Sequence, residues 1–255
     1  AYLESFNHYS SLIMEGGFLI LHTDLKMQPR TGKGVTTYTY SREKGDFHAE
    51  NVKIGGGEIT FDLISPLGNI ENISLGVPVT VNIENGIAAM ALAQIAGVSA
   101  EDIRKAMASF SGVDRRFDFR VKTDKMVYLS DYAHHPEEIR QSILSIKQLY
   151  EGRRIKAIFQ PHLYTRTRDF YKEFAEALSQ LDDVSIVDIY PARELPIPGV
   201  TSALIYDNLT SQNKEMISKD DILQVVQRGG FDVLITLGAG DIEDYSEAIA
   251  NQLSH

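Results

Sequence analysis

The chain contains no cysteine among its 255 residues. This absence excludes a disulfide framework, a thiolate nucleophile and a zinc site built on cysteine. The chain also lacks any run of about 18 apolar residues and any basic segment that leads into an apolar one, so we expect neither a membrane span nor a signal peptide. These absences fit a protein of the reducing cytoplasm with no membrane partner.

Positive charge is outnumbered by negative charge along the chain. Lys and Arg number 25 against 35 Asp and Glu, which gives a formal net charge of −10. This excess argues against binding of nucleic acid through its phosphate backbone, although a local basic cluster can still hold a nucleotide. The hydrophobic fraction of 43% is enough for the core of one large domain or two ordinary ones.

Two glycine-rich signatures for phosphate binding are missing as well. The phosphate-loop sequence Gly-x-x-x-x-Gly-Lys-Ser/Thr does not occur; its nearest approach, Gly32-Lys33-Gly34, lacks the upstream glycine and the following hydroxyl residue. A hydride-transferring dehydrogenase needs Gly-x-Gly-x-x-Gly after the first strand of its parallel sheet. Residues 131–136, at the corresponding place, are Asp-Tyr-Ala-His-His-Pro, which argues against that class.

The first eighty residues are predicted to form mostly β-strands after one short helix over residues 2–13. The predicted strands, bounded by glycine and proline, are 18–22, 36–41, 47–54, 58–64 and 70–75. Three consecutive glycines at 55–57 predict a hairpin between the third and fourth of these strands.

Helices follow these strands. An alanine-rich helix is predicted over residues 82–96, and Ser99 is the predicted N-cap of a second helix that extends to Phe110. Asn82 and Asn85 lie on one face of the first turn because they are three residues apart. Their side-chain amides can either cap the helix or contact the edge of a nucleotide base.

Strands and helices alternate in the second half of the chain. The main predicted strands are 127–130, 154–159, 184–189 and 233–237, and a further strand begins at Phe117. Amphipathic helical stretches separate the main strands. This alternation predicts an α/β fold with a parallel, doubly wound sheet.

Polar segments follow the predicted strands at residues 131–136, 160–169, 190–199 and 238–241. Any one of them can be an ordinary polar loop. Ligands, however, bind beyond the carboxyl ends of strands in open α/β sheets, so these segments are candidate site segments. Arg115 and Arg116 precede the first strand of this half; such a pair is either solvated surface or a clamp for a phosphate group.

Five segments resemble the ATP-dependent Mur ligases of bacterial cell-wall synthesis, in the family's order. They are residues 112–118 (GVDRRFD), 131–136 (DYAHHP), 159–162 (FQPH), 164–168 (YTRTR) and 237–241 (LGAGD). The second, third and fourth segments resemble the branch that joins L-alanine to UDP-N-acetylmuramate. They separate it from the branches that add glutamate, diaminopimelate or a D-Ala-D-Ala dipeptide.

The resemblance implies a three-domain enzyme of which this chain holds the later part. Residues 1–112 would be the β-rich and helical later half of the central ATPase domain. Residues 113–255 would be the C-terminal amino-acid-binding domain, with a Rossmann-like, doubly wound and mostly parallel sheet. The UDP-sugar domain, the phosphate loop and the magnesium ligands would precede Ala1, so we expect a fragment without turnover of its own.

The implied reaction consumes ATP with Mg²⁺. The lactyl carboxylate of UDP-N-acetylmuramate becomes an acyl phosphate, which the amine of L-alanine then attacks. The resemblance implies roles for these residues on the nucleotide side: Asn82 and Asn85 at the adenine, Asp131 at the ribose with Tyr132 beside it, and Arg116, ahead of Arg115, at the phosphates.

On the amino-acid side, the resemblance implies that His162 and Arg166 face L-alanine. Arg166 would hold the alanine carboxylate, and Arg168 would be a further contact. His134 and His135 are expected at the boundary between nucleotide and acyl phosphate. Either histidine can deprotonate the incoming ammonium, or one of them only caps its loop.

Two residues depart from the family pattern. Val81 stands where the family usually has a histidine, which removes one expected adenine contact, and Leu163 stands where a basic residue is common. Two other functions remain open: a ligase that attaches a recycled murein tripeptide to the same sugar nucleotide, and a non-catalytic nucleotide-binding module. The sequence does not predict an oligomeric state.

Overall fold

The computed structural model describes residues 2–254, over which the chain forms eight α-helices and eleven β-strands. The chain divides into two units, Ala1–Phe110 and Ser111–His255.

The first unit holds two small sheets and three helices. Its elements are α1 (Tyr2–Ser11), β1 (Phe18–His22), β2 (Thr36–Tyr40), β3 (His48–Gly55), β4 (Glu58–Ile64), β5 (Ile70–Ser74), α2 (Thr80–Ile95) and α3 (Ala100–Ser109). Strands β1 and β2 pair in parallel, and β3, β4 and β5 form an antiparallel sheet. The predicted elements of this half are confirmed to within two residues at each end.

Local chemistry explains these elements. Gly55, Gly56 and Gly57 all have positive φ, as the turn between β3 and β4 requires. Alternate residues of β4 are buried, which gives the antiparallel sheet its core face. Gly86 of α2 lies against Met107 of α3, where a Cβ atom would come within 2.8 Å of Met107 Cε. The small residues of α2 therefore allow close packing of the two helices.

The second unit is a three-layer α/β structure. Its elements are β6 (Asp118–Lys122), β7 (Val127–Asp131), α4 (Pro136–Leu149), β8 (Ile155–Phe159), α5 (Tyr164–Leu178), β9 (Asp183–Ile186), α6 (Ala203–Asn208), β10 (Asn213–Met216), α7 (Ile222–Arg228), β11 (Val233–Leu237) and α8 (Ser246–Leu253). The order of this six-stranded sheet is β10-β9-β8-β11-β7-β6, and of its described strands only β6 runs antiparallel to its neighbour. The predicted α/β class with a mostly parallel sheet is confirmed.

Two details differ from the predicted elements. Strand β10 was not predicted, and the strand predicted over 184–189 ends at Ile186. The segment Asn-Lys-Glu-Met of β10 lies at the sheet edge and has no buried position, so it carries no apolar pattern.

The strand order creates a switch point between β8 and β11. The chain leaves β8 through α5 toward β9 on one side, whereas after β11 it continues to α8, which contacts β6 and β7 on the other side. In open α/β sheets the crevice at such a point is where ligands bind. The carboxyl ends of β7, β8 and β11 all open toward it.

Candidate functional site

The loop that follows β7 is fixed by the first turn of α4. His135 is the N-cap residue and Pro136 is the first helical residue, where a missing N–H costs nothing. The carboxylate of Glu138 accepts hydrogen bonds from the backbone N–H groups of His134 (3.0 Å) and His135 (3.1 Å). Although partial burial opposes it, these bonds and the nearby histidines lower the pKa of Glu138.

Asp131, the last residue of β7, is buried, with 9% of its surface exposed. Its Oδ1 accepts from the Phe117 N–H at 3.3 Å, and its Oδ2 accepts from the Ser142 hydroxyl. Burial raises the pKa of this carboxyl, although the hydrogen bonds from Ser142 and the backbone oppose the shift. Asp131 therefore ties β7 to α4 and to the segment before β6; its contact with a ribose stays a prediction.

The two histidines of the loop lie in different surroundings. The His134 ring meets the ring edges of Tyr132 and His162, with centroids 5.3 and 5.9 Å away. The His135 ring is exposed and packs against Phe170 of α5 at 5.1 Å. The structure thus brings His134, and not His135, to the end of β8.

His162 follows β8 and is held between two neighbours. Its ring stacks on Tyr190 at 5.7 Å, and Arg166 Nη1 donates to its Nδ1 at 3.3 Å. Partial burial, the Arg166 guanidinium and His134 lower the pKa of His162, and Glu194 acts against them. These surroundings therefore favour the neutral form of His162 over the charged form.

Arg168 is placed differently from Arg166. Its exposed side chain donates from Nε to Asp169 Oδ1 at 2.7 Å. The two arginines lie on the first turns of α5, whose start is stabilised by Glu194. The carboxylate of Glu194 accepts from the backbone N–H of Thr165 at 2.9 Å and from its hydroxyl. Of the predicted alanine contacts, the structure pairs His162 with Arg166 and leaves Arg168 at the surface.

Gln160 organises the turn after β11, a role that the sequence did not reveal. This side chain is 1% exposed; its Nε2 donates to Asp241 Oδ1 at 2.7 Å, and its Oε1 accepts from the Ile242 N–H at 3.0 Å. A Cβ atom on Gly240 would collide with Gln160 Oε1 and would lie 2.7 Å from Tyr190 Cβ. Only glycine fits there, so the turn lies directly against the β8 loop.

The paired arginines before β6 also differ. The Arg115 guanidinium lies 4.6 Å above the Tyr132 ring, its Nη2 donates to Gly240 O at 3.4 Å, and its Nε is 3.8 Å from Glu243 Oε2. The Arg116 side chain is exposed and makes no hydrogen bond or ion pair with the described residues 2–254. Arg115 is thus a structural contact, and Arg116 is available.

Asn82 and Asn85 lie in the first unit, on the first turns of α2. Asn82 Nδ2 donates to Val77 O and Asn85 Nδ2 donates to Asn82 Oδ1, both at 3.2 Å. The N-cap residue is Val79, without a side-chain cap, so the two amides do not cap the helix. Val81 beside them is 53% exposed.

Within residues 2–254, no three or more His, Asp or Glu side chains form a group that could hold a metal ion. In the same range, none of the helices is both long and apolar enough to cross a membrane.

The comparisons with known proteins point to one family. Residues 115–252 match the family model described as "Mur ligase, glutamate ligase domain". The chain is 62% identical over 255 residues to the UDP-N-acetylmuramate–L-alanine ligase of Phocaeicola vulgatus, a match that covers 100% of this chain and 56% of the relative. It is 52% identical over 250 residues to the ligase of the same name from Parabacteroides distasonis, covering 98% of this chain and 54% of the relative.

The fold has a solved counterpart. The crystal structure of UDP-N-acetylmuramate–alanine ligase from Thermotoga maritima superimposes with a TM-score of 0.70 at 25% identity, covering 86% of this chain and 51% of that chain. The chain therefore spans just over half the length of the relatives that it matches.

Proposed function

The chain belongs to the Mur ligase family, and on this premise we propose that it is part of an ATP-dependent ligase that joins L-alanine to UDP-N-acetylmuramate in the cytoplasm. The observation that carries the proposal is 62% identity over the whole chain to a relative named for that reaction. The meeting of His134, His162 and Arg166 at the switch point of the sheet supports it, because ligands bind there in such folds.

The two halves of the chain would belong to different domains of the ligase. Residues 1–112 would be the later half of the central ATPase domain, and residues 113–255 would be the amino-acid-binding domain. The range 115–252 that matches the family model falls within the second of these.

Several residues of the chain would contact ATP. Asn82 and Asn85 would contact the adenine; Asn85 is exposed, and its Oδ1 accepts no hydrogen bond from residues 2–254, which leaves an acceptor for an amino group. Asp131 and Tyr132 would contact the ribose. Arg116 would bind the phosphates, since its guanidinium is unpaired, whereas Arg115 is already engaged.

The alanine side would depend on Arg166 and His162. Arg166 gives one of its five N–H groups to His162, so the remaining donors can bind the alanine carboxylate as a charge-assisted pair. Arg168 would be an outer contact that must first leave Asp169. A histidine at this edge would remove the proton from the alanine ammonium, so that the neutral amine can attack.

ATP supplies the energy by activating the lactyl carboxylate as an acyl phosphate. Mg²⁺ would accompany ATP; because no three or more His, Asp or Glu side chains of residues 2–254 group to hold a metal ion, these residues would contribute at most one or two ligands beside the ATP phosphates. The comparisons favour neither a tripeptide-attaching ligase nor a non-catalytic module, since the matched relatives carry the L-alanine ligase name.

Kinetics of a chimera test the alanine site. In this chimera, the chain replaces the matching part of the Phocaeicola vulgatus relative. We expect Arg166→Ala to raise KM for L-alanine about 10- to 100-fold, as loss of a hydrogen bond to a charged group implies. The control Arg140→Ala removes an arginine that pairs with Glu137 and Glu176 instead, and should change KM less than about twofold. Equal effects of the two variants would contradict the assignment.

A further inference from the structure

The hydrogen bond of His134 determines where its ring carries a proton. His134 Nδ1 lies 3.0 Å from the backbone carbonyl oxygen of Tyr132. A carbonyl oxygen only accepts, so Nδ1 must carry the hydrogen. In the neutral ring the lone pair is then on Nε2.

His162 shows the opposite arrangement. Its Nδ1 lies 3.3 Å from Arg166 Nη1, and a guanidinium only donates. Nδ1 of His162 must therefore accept, and the hydrogen of the neutral ring is on Nε2. The two rings are 5.9 Å apart at their centroids, so a proton acceptor and a proton donor lie side by side at the same strand ends.

Glu138 is the anionic group next to His134. Its Oε2 accepts from the backbone N–H groups of His134 and His135 and lies 3.5 Å from His134 Nδ1. A carboxylate at this nitrogen favours the Nδ1-protonated ring and stabilises the imidazolium that forms when Nε2 takes a proton. The other charged or titratable side chains near the ring are Tyr132 and His162, with Arg166 behind His162.

We propose that Glu138 is a positioning residue that holds His134 with Nδ1 protonated, so that His134 Nε2 accepts the proton of the alanine ammonium. The last step rests on the proposed ligase function. The N–H bond of the ammonium breaks, its electron pair stays on nitrogen as the attacking lone pair, and the proton moves to Nε2. His135 does not share this role, because its ring packs against Phe170 and its backbone is the helix cap.

The tautomers can be measured in the chain itself. We would label its histidines with ¹⁵N and record long-range ¹H–¹⁵N spectra at pH 8, where a histidine of ordinary pKa (about 6.5) is neutral. The His134→Gln and His162→Gln variants assign the signals. We expect a protonated Nδ1 and an unprotonated Nε2 for His134, and the reverse for His162. A His134 ring protonated on Nε2 would overturn the proposal.

Variants of α4 test the part played by Glu138. In Glu138→Ala we expect the His134 ring to populate both tautomers. Glu137→Ala is the matched control, because Glu137 is exposed on the same turn and bonds only to Gln141 and Arg140 among the described residues; it should leave the spectrum unchanged. An unchanged spectrum in Glu138→Ala would assign the tautomer to the Tyr132 carbonyl alone and overturn the role of Glu138.

Glu138→Gln keeps an acceptor for the helix start and removes the charge. In the chimera we expect it to lower kcat roughly 10-fold or more while KM for L-alanine stays within about twofold. An unchanged kcat would overturn the role of Glu138. The spectra need no turnover, so an inactive chimera would count against the ligase proposal alone, and a reversed tautomer would count against this inference alone.

Discussion

Single residues set the charge state of the candidate alanine site. Since burial, Arg166 and His134 lower the pKa of His162, this ring takes up its proton at a lower pH than an ordinary histidine, whose pKa is about 6.5. The folded state then binds fewer protons than the unfolded state. The contribution of His162 to stability is therefore full above pH 6.5 and is lost as pH falls through the lowered pKa.

Removing the guanidinium should raise this pKa. In Arg166→Gln we expect the pKa of His162 to move up toward 6.5 without reaching it, because the burial that also lowers it remains. Titration of the histidine signals by NMR measures the shift. Arg168→Gln is the control, since Arg168 pairs with Asp169 and is not among the groups that shift His162. A pKa that stays or falls in Arg166→Gln would contradict the account.

Replacing each of the two arginines before β6 should have a different effect. In the chimera, Arg116→Ala should raise KM for ATP about 10- to 100-fold, as expected for a lost charge-assisted bond to phosphate. Arg115→Ala should instead lower stability by about 1 kcal/mol in urea unfolding, because Arg115 stacks on Tyr132 and bonds to Gly240. The opposite pattern, with Arg115 controlling KM, would reverse the assignment.

At this scale the sequence predicted some of the residues that gather at the strand ends, but not how they are held, and His135 and Arg168 lie apart from them. Motif positions gave His134, His162 and Arg166, whereas Gln160 was matched only as part of a motif. Its bonds reach Asp241 and Ile242, about eighty residues away, and no local pattern reports such a pairing. The roles of the site residues toward ATP and alanine stay predictions.

At the scale of structural elements, the turn after β11 is held by one side chain, Gln160. Gln160→Ala removes one buried and one partly buried hydrogen bond and leaves the Ile242 N–H and part of Asp241 without a partner. We expect the free energy of unfolding to fall by about 2–4 kcal/mol. Gln141→Ala, at an exposed position of α4, should change it by about 0.5 kcal/mol at most.

Urea denaturation of both glutamine variants measures this difference, provided that the slope of the unfolding free energy against urea concentration is the same in both. Similar midpoints for Gln160→Ala and Gln141→Ala would show that the turn does not depend on Gln160.

The elements that the sequence predicted best are those with a strong local pattern. Strands β7, β8 and β11 are buried at every position and were predicted from their apolar runs. Strand β10 was missed because its polar residues serve tertiary contacts. Glu215 Oε1 of β10 lies 3.3 Å from Nζ of the buried Lys156 of β8. The same Nζ pairs with Asp183 Oδ1 of β9 at 2.6 Å. Only the assembled sheet brings these three together.

On the scale of the whole molecule, we propose that the chain supplies part of the site for the ligase reaction. It spans 56% of the Phocaeicola vulgatus relative, and it lacks the phosphate-loop sequence. In the proposed enzyme, this chain would hold the alanine site and some contacts to ATP. The phosphate loop and the sugar-nucleotide site would lie in the part of the relative that the chain does not match.

The most direct test of this assignment is phosphate release from ATP in the presence of UDP-N-acetylmuramate. The chain alone should release none. The chimera with the remaining part of the Phocaeicola vulgatus relative should release phosphate when L-alanine is added, and not when L-glutamate or the murein tripeptide replaces it. A folded chimera that releases no phosphate with L-alanine, or that releases as much with the tripeptide, would contradict the proposed function.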